Sequence, residues 1–314
     1  MWGVIFSLGL SPVFFVPAWR LAKRTVRGRP VSLAQAQQLL AQESPAGTVE
    51  QGRWAKVTLA PHLATYETRT RALLDLARAL QKAGEFLGLQ GWRDELYPVY
   101  GTSGPGRRAV ANQAAFAVER AAAPIFGIQN FGAHINGYSY AEDGTLFMWA
   151  ARRSSTKPTW PGMLDNMVAG GAPYNMGIRE TVVKECQEEA SIPAEVAQRA
   201  RPAGVVSYIH HNPNGLQPEY QFVYDLQLPW DYDGLRPNDG EVEAFYLFSM
   251  SELRERLLAG EYKPNCALVC LDFMIRHGVL TPENEPDYLA IIQSMRRALP
   301  LPVPSFDVYR DRVH

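Results

Sequence analysis

The amino-acid sequence predicts an α/β fold in two parts, a small α+β N-terminal domain followed by a larger α/β domain. The chain has 314 residues, more than an ordinary single domain holds. Residues 65–83 carry apolar side chains with the period of an amphipathic helix, close to an alternating strand at 54–60. From about residue 121 the pattern changes to strands separated by turns, which then alternate with helices.

Residues 1–30 form an apolar and basic N-terminal extension. Residues 2–19 are almost wholly apolar, and basic residues follow at Arg20, Lys23, Arg24, Arg27 and Arg29. The apolar span is just long enough for a membrane helix, but Pro12 and Pro17 would interrupt it, and no signal-peptide cleavage pattern is evident. We therefore expect an extension of the first domain in a cytoplasmic protein, with a membrane anchor as the second alternative.

The N-terminal domain is expected over residues 31–120. Ser32 can cap a short helix that ends near Gln42, ahead of the strand and the amphipathic helix already described. The segment TSGPGRRA (102–109) is rich in glycine and partly basic, but it lacks the Gly-Lys-Ser/Thr ending of a phosphate-binding loop. We interpret this segment as a surface loop.

The second domain is expected over residues 121–314. Alternating patterns bounded by turn residues predict strands at 130–140, 145–152, 203–210, 219–228 and 242–248. Helical periodicity and capping residues predict helices at 177–191, 250–259, 265–277 and 285–298.

Three glutamates stand at helical spacing in the helix expected at 177–191. Glu185, Glu188 and Glu189 lie at positions i, i+3 and i+4, so a helix brings their carboxylates to one face. These charges would repel one another, and a divalent cation would relieve the repulsion. A neighbouring face carries apolar residues at Ile178, Val182, Cys186 and Ala190. The alternative is a solvated acidic helix that binds nothing.

The glutamate helix and the Gly170–Gly171 turn before it resemble the Nudix box, the glycine-loop-helix signature of hydrolases that cleave a diphosphate joined to another group. Residues 184–192, KECQEEASI, take the places of the family ending Arg-Glu-apolar-X-Glu-Glu-X-Gly-apolar. The sequence departs from that pattern at two positions. Lys184 replaces the arginine, and Ser191 replaces the late glycine.

A third departure concerns the support of the box. The family has a glutamate eight residues before the arginine, where this chain has Met176, so the usual carboxylate–arginine pair cannot form. Glu180 lies four residues before Lys184, with the spacing and polarity that favour a helical ion pair. We expect Glu180 and Lys184 to give this structural support instead.

Longer segments are similar to one subfamily, the Nudix hydrolases related to the Nudix part of some fungal thiamine pyrophosphokinases. They are ARRSSTKPTWPGMLDNMVAGG (151–171), GEVEAF (240–245) and ALVCLDFMIRHG (267–278). The resemblance implies a Nudix-type α/β/α sandwich with a mixed sheet. It also implies hydrolysis of a diphosphate linkage with Mg²⁺ or Mn²⁺. The implied substrate is thiamine diphosphate, or its oxidised or damaged analogues, cut to the monophosphate.

The resemblance also suggests which residues form the site. Glu185, Glu188 and Glu189 are expected to be catalytic and to bind the metal, and which of them acts as base stays open. In the family, a backbone carbonyl at the glycine turn also binds metal, which makes Gly170 a further candidate. Related enzymes add an acidic residue from a distant loop, where Glu241 is preferred over Glu243. Either one could instead be an ordinary charge on an edge strand.

Residues before the box are candidates for substrate binding. Arg152, Arg153 and Lys157 could hold diphosphate oxygens, and Trp160 could stack on a heteroaromatic ring. Gly171 allows close approach of the backbone. The alternatives are a solvated basic loop and a tryptophan that packs between prolines.

Composition limits the classes of partner. The 31 Lys and Arg residues nearly balance the 32 Asp and Glu residues, so no global basic field favours nucleic acid. The three cysteines are an odd number, and Cys266 and Cys270 lie one helical turn apart in an apolar run, which indicates reduced core residues. We expect a small-molecule diphosphate as the partner. A homodimer is left open.

Two other functions remain as alternatives. An enzyme similar to isopentenyl-diphosphate isomerase would need a cysteine in the strand that leads to the box, but LDNMVAGG (164–171) has none. Cys186 lies at an apolar helix position and is a poor substitute. A catalytically silent Nudix-like module that senses a diphosphate metabolite would not need all three glutamates.

Overall fold

The computed structural model describes residues 59–299, apart from 61, 85, 103–108, 174–175 and 213, and the backbone of three short strands nearer the N-terminus. The first, β1 (Gly3–Phe6), pairs antiparallel with β2 (Phe14–Val16) and parallel with β3 (Trp54–Val57). The expected helix from Ser32 to Gln42 lies outside the described residues, as does the rest of the apolar segment 2–19. No helix in the described part of the chain has the length and apolar character that crossing a bilayer requires.

The chain divides into two compact units. The first contains Met1–Gln129, His210–Pro218 and Pro300–His314, and the second contains Asn130–Ile209 and Glu219–Leu299.

The first unit packs one long helix and an antiparallel strand pair. Helix α1 (Tyr66–Ala83) begins with a capping box at Thr65 and ends at Gly84, whose φ of 70° is left-handed, and it confirms the helix predicted at 65–83. Strands β4 (Leu96–Thr102) and β5 (Ala109–Glu119) were not predicted. Their pairing contains two register shifts, which break the alternation that identifies a strand in sequence. Helix α2 (Ala123–Phe126) follows, and its apolar side chains join the core that contains Leu73 and Phe116.

The second unit is built on a seven-stranded mixed sheet. Its strands are β6 (Asn130–Tyr140), β7 (Leu146–Arg153), β8 (Leu164–Asn166), β9 (Val168–Gly171), β10 (Arg201–Asn212), β11 (Gly215–Gln227) and β12 (Val242–Ser249). The order is β10-β11-β6-β7-β12, with β8 paired to β7 and β9 paired to β6. Strand β6 pairs parallel with β11 and antiparallel with β7 and β9. Strand β7 also pairs antiparallel with β8 and β12. The five strands predicted for this domain are all present.

Five helices belong to the same unit: α3 (Ile178–Ala190), α4 (Ala194–Ala197), α5 (Met250–Leu258), α6 (Pro264–Arg276) and α7 (Tyr288–Met295). They confirm the four predicted helices and add the short α4. Helix α3 contacts β9 and β6, and α6 contacts β8 and β6.

Helices α3 and α6 cover opposite faces of the sheet. On β6, His134 contacts Asn166, which also contacts Cys270 of α6. The preceding residue, Ala133, pairs with Gly170, against which Glu185 of α3 packs. Successive residues of a strand point to opposite faces. The unit is therefore a three-layer α/β/α sandwich with a mixed sheet, as the sequence predicted.

Candidate metal centre

Helix α3 holds two carboxylates against strand β9. The Glu189 Oε2 atom accepts a hydrogen bond of 3.0 Å from the Ala169 backbone N–H. The Glu185 carboxyl carbon lies 2.2 Å from the position that a Cβ on Gly170 would occupy. Only glycine leaves room for this side chain, because real Cβ atoms do not approach a neighbour so closely. Apolar residues of the helix, including Val182 and Cys186, are fully buried and fix its orientation.

The turn before β12 brings two more carboxylates to Glu189. Asp239 and Glu241 belong to this turn, and Asp239 Oδ1 accepts a 2.8 Å hydrogen bond from the Glu241 N–H. The Glu241 carbonyl in turn accepts a 2.8 Å bond from the Ser154 N–H, which ties the turn to the end of β7. One carboxylate oxygen from each of Glu189, Asp239 and Glu241 lies within 4.8 Å of the other two.

Electrostatics within the cluster favour a cation. Burial raises the pKa of Glu189 well above its ordinary value, and the charges of Asp165, Glu185 and Glu241 raise it further against the Ala169 hydrogen bond. Burial also raises the pKa of Glu185, an effect that the nearby Lys184 partly offsets. Converging carboxylate oxygens are the donors that hard divalent cations such as Mg²⁺ and Mn²⁺ prefer. The residues present therefore fit a divalent metal.

Glu188 lies at the edge of this cluster. Its side chain is 51% exposed and forms an ion pair with Lys184, whose ammonium also lies 3.1 Å from Glu185 Oε1.

The prediction of an ion pair between Glu180 and Lys184 is wrong. The Glu180 carboxylate instead accepts a 2.8 Å hydrogen bond from the Gly177 N–H at the start of α3, because an unpaired N–H at a helix end competes for a carboxylate three residues later.

Arg152 and Arg153 donate hydrogen bonds to the loop between β7 and β8. The Arg153 guanidinium donates to the carbonyls of Thr159 and Trp160 and, at 2.8 Å, to the Asp165 carboxylate. Arg152 donates to the Gly162 carbonyl at 2.8 Å. These bonds shape the loop between β7 and β8, and they leave the two arginines less suited to hold a diphosphate than the sequence suggested.

Lys157 lies in the same loop and is placed differently. Its ammonium forms an ion pair with Glu241, so the positive charge of Lys157 adjoins the cluster of Glu189, Asp239 and Glu241. Trp160 is 39% exposed, with a left-handed φ of 53°. Gly171 pairs with Gly132 at the end of the pairing between β6 and β9.

Of the two distant acidic candidates, Glu241 joins the cluster. Glu243 is exposed on β12, at the bulge between Val242 and Ala244. Sequence reasoning missed Asp239, although an acidic residue in the Asn-Asp-Gly turn two positions before Glu241 was a usable signal. Cys186 is fully buried, and burial raises the pKa of its thiol to about 12, with smaller effects from Glu189 and Glu185.

The chain matches two family models and is similar to several known proteins. Residues 36–130 match a family model described as a domain of unknown function, DUF4743, and residues 133–267 match the NUDIX domain. The uncharacterized Saccharomyces cerevisiae protein YJR142W is 42% identical over 250 residues, which cover 76% of this chain and 70% of that protein. Arabidopsis thaliana Nudix hydrolase 20, chloroplastic, is 40% identical over 241 residues. This match covers 76% of the chain but only 61% of the Arabidopsis protein.

Among solved structures, a Deinococcus radiodurans protein, DR0079, aligns with 46% of this chain and 83% of its own length, at 20% identity and a TM-score of 0.36. The NUDIX match covers most of β6, the strands β7, β8 and β9, the α3 carboxylates and the turn with Asp239 and Glu241. The chain therefore contains a NUDIX domain at residues 133–267, and over 76% of its length it is similar to a Nudix hydrolase.

Proposed function

We propose that this protein hydrolyses a diphosphate linkage in a small metabolite, with Mg²⁺ or Mn²⁺ bound by the carboxylates of α3 and of the turn before β12. The observation that carries the proposal is the convergence of Glu189, Asp239 and Glu241 within 4.8 Å. A bound divalent cation would neutralise charge on the diphosphate oxygens, orient the attacking water and lower its pKa.

The protein's own groups have distinct parts in this proposal. Glu189, Asp239 and Glu241 hold the cation, and the Ala169 N–H keeps the Glu189 carboxylate in place. Glu185 lies beside them, and Gly170 leaves room for its carboxylate. Glu185 and the more exposed Glu188 remain candidates for binding metal and for accepting the proton of the attacking water. The Gly170 carbonyl also remains a candidate ligand.

Lys157 is the cation best placed to contact the diphosphate. It is paired with Glu241, so a diphosphate bound at the cluster would lie within reach of its ammonium. In this proposal, Arg152 and Arg153 position the loop that carries Lys157 and Trp160 rather than bind phosphate. Trp160 is exposed enough to stack on a ring of the substrate.

For the substrate we propose thiamine diphosphate or its oxidised analogues, cut to the monophosphate with release of phosphate. This part rests on the resemblance of residues 151–171 and 240–245 to the Nudix part of fungal thiamine pyrophosphokinases. The carboxylate cluster supports the reaction class and does not select thiamine over a nucleoside diphosphate.

A screen of diphosphates tests both parts. Thiamine diphosphate, its oxidised analogues, nucleoside diphosphates and a nucleotide sugar would be incubated with Mg²⁺ or Mn²⁺, and the products resolved by mass. Glu189→Gln should lower turnover at least about 100-fold, because it removes one charge from the metal ligands. Glu255→Gln, an exposed change on α5, is the matched control. Equal turnover in Glu189→Gln and wild type would exclude the proposed metal centre.

A further inference from the structure

The ion pair between Lys157 and Glu241 is anchored through the backbone on both sides. The Ser154 N–H donates to the Glu241 carbonyl at 2.8 Å, and the Ser154 carbonyl accepts from the Lys157 N–H at 3.1 Å. The Glu241 N–H is held in turn by Asp239 Oδ1 at 2.8 Å. One short stretch of backbone thus fixes both partners, so the two side chains stay close to each other.

The Lys157 side chain is largely enclosed. It is 14% exposed, so little water is available to replace an anion that leaves the ammonium. Within the part of the chain that the structure describes, Glu241 is the one carboxylate within 4.0 Å of this ammonium. A partly buried charge is costly when it has no partner of opposite sign. Lys157 therefore needs an anion at this position.

Glu241 is shared between this ammonium and the carboxylate cluster. One of its carboxylate oxygens lies within 4.8 Å of an oxygen of Glu189 and an oxygen of Asp239. If these three side chains hold a divalent cation, the Lys157 ammonium and that cation adjoin the same carboxylate. Two cations at such short range repel each other. The ion pair of Lys157 with Glu241 therefore works against metal binding.

A diphosphate would remove this conflict. Its oxygens carry the negative charge that the ammonium loses when Glu241 turns to a metal, and lysine binds phosphate well as a point charge. The Lys157 ammonium can pass from the carboxylate to a phosphate oxygen through rotation of its side chain alone, while the backbone bonds through Ser154 stay in place. Metal and diphosphate would then each favour the binding of the other.

We propose that Lys157 competes with the divalent cation for Glu241 and thereby makes tight metal binding depend on a diphosphate. The inference rests on the metal centre of the proposed function. The Lys157 ammonium neutralises part of the carboxylate cluster in the free protein. When a diphosphate binds, it takes over the ammonium and leaves Glu241 to the metal.

Mn²⁺ binding in the absence of any diphosphate is the first test, measured by electron paramagnetic resonance of the free ion. Lys157→Met keeps most of the side-chain volume and removes the charge. It should bind Mn²⁺ about 10-fold more tightly than wild type, a usual size for coupling between two ligands of one protein. Lys157→Arg keeps the charge and should bind as wild type does. Lys82→Met, at an exposed lysine of α1, is the matched control.

Diphosphate binding is the second test. Methylenediphosphonate, a diphosphate analogue that resists hydrolysis, would be titrated by calorimetry at saturating Mg²⁺. Lys157→Met should bind it about 10-fold more weakly, as expected for the loss of a hydrogen bond to a charged group. The two affinities should thus change in opposite directions. A merely structural role for Lys157 would weaken both, because a misplaced Glu241 holds metal poorly.

The outcomes separate this inference from the proposed function. Circular dichroism shows whether Lys157→Met is folded, and Lys157→Gln is the second variant if it is not. Mn²⁺ binding by the folded variant that equals or falls below wild type overturns the inference and leaves the metal centre standing. Unchanged affinity for methylenediphosphonate also overturns it. If neither wild type nor any variant binds Mn²⁺, the proposed metal centre fails, and the inference fails with it.

Discussion

Glu185 packs over Gly170, with its carboxyl carbon 2.2 Å and its Cγ 2.4 Å from where a Cβ on that glycine would lie. The glycine of the turn and the first glutamate of the helix thus form one structural unit. Because the contact atoms belong to a flexible side chain, a methyl group at this position would displace the carboxylate more readily than it would disrupt the sheet.

Gly170→Ala is therefore expected to lower turnover about 100-fold, the effect of misplacing a catalytic group by about 1 Å. Thermal unfolding should change little. Turnover and Mn²⁺ affinity, measured on the same preparation, would check this. Gly91→Ala is the control, since a Cβ there meets nothing within 4 Å. Wild-type turnover in Gly170→Ala would contradict the assigned position of Glu185.

Asp239→Asn tests the ligand that sequence reasoning missed. Asp239 adjoins Glu189 and Glu241, so removal of its charge should weaken Mn²⁺ binding about 10- to 100-fold and lower activity in parallel. Electron paramagnetic resonance of free Mn²⁺ gives the affinity without any substrate. Asp231→Asn, at an exposed position, should bind as wild type does. If Asp239→Asn binds Mn²⁺ normally, this residue is a turn former and no ligand.

His134 should make folding stability depend on pH. Burial lowers its pKa to about 4, and the Lys263 charge adds to this effect. The unfolded chain takes up this proton near pH 6.5, so between about pH 6.5 and 4 the unfolded state binds more protons. Stability is therefore full above about pH 6.5 and is lost as the pH falls, by about 3 kcal/mol at pH 4.

Urea unfolding of His134→Gln measures this contribution. The variant should lose less stability than wild type between about pH 6.5 and 4. His62→Gln, at an exposed histidine, serves as the control. Parallel pH profiles for His134→Gln and wild type would show that the imidazole does not titrate as described.

Ser191 ends the glutamate helix at the position where the family pattern has a glycine, and its backbone conformation is one that favours glycine. It has a left-handed φ of 57°, and its hydroxyl donates to the Arg236 carbonyl at 3.0 Å. Ser191→Val should lower the free energy of unfolding by more than about 1 kcal/mol, because a β-branched side chain is strained there. Ser191→Gly should stay within about 0.5 kcal/mol of wild type, since relief of strain offsets the lost hydrogen bond and the greater chain entropy.

Chemical denaturation of the two variants gives the comparison. Equal stability of Ser191→Val and Ser191→Gly would show that residue 191 does not need the left-handed conformation.

Local spacing predicted much of the second unit. The helix at 177–191 was found as Ile178–Ala190 and the strand at 130–140 as Asn130–Tyr140, because period and caps act over neighbouring residues. The strands β4 and β5 were missed because bulges disturb their alternation. The Glu180–Lys184 pair was wrong because spacing does not reveal that a helix-end N–H competes for the carboxylate.

The sequence by itself determined the glutamate helix, its apolar stripe and the glycine turn, since each depends on residues a few positions apart. Only the tertiary structure decided that Asp239 and Glu241 meet Glu189 and that Arg152 and Arg153 bond to their own loop. These contacts join residues far apart in the chain. They depend on strand order and on which face each side chain takes, and no local pattern encodes either.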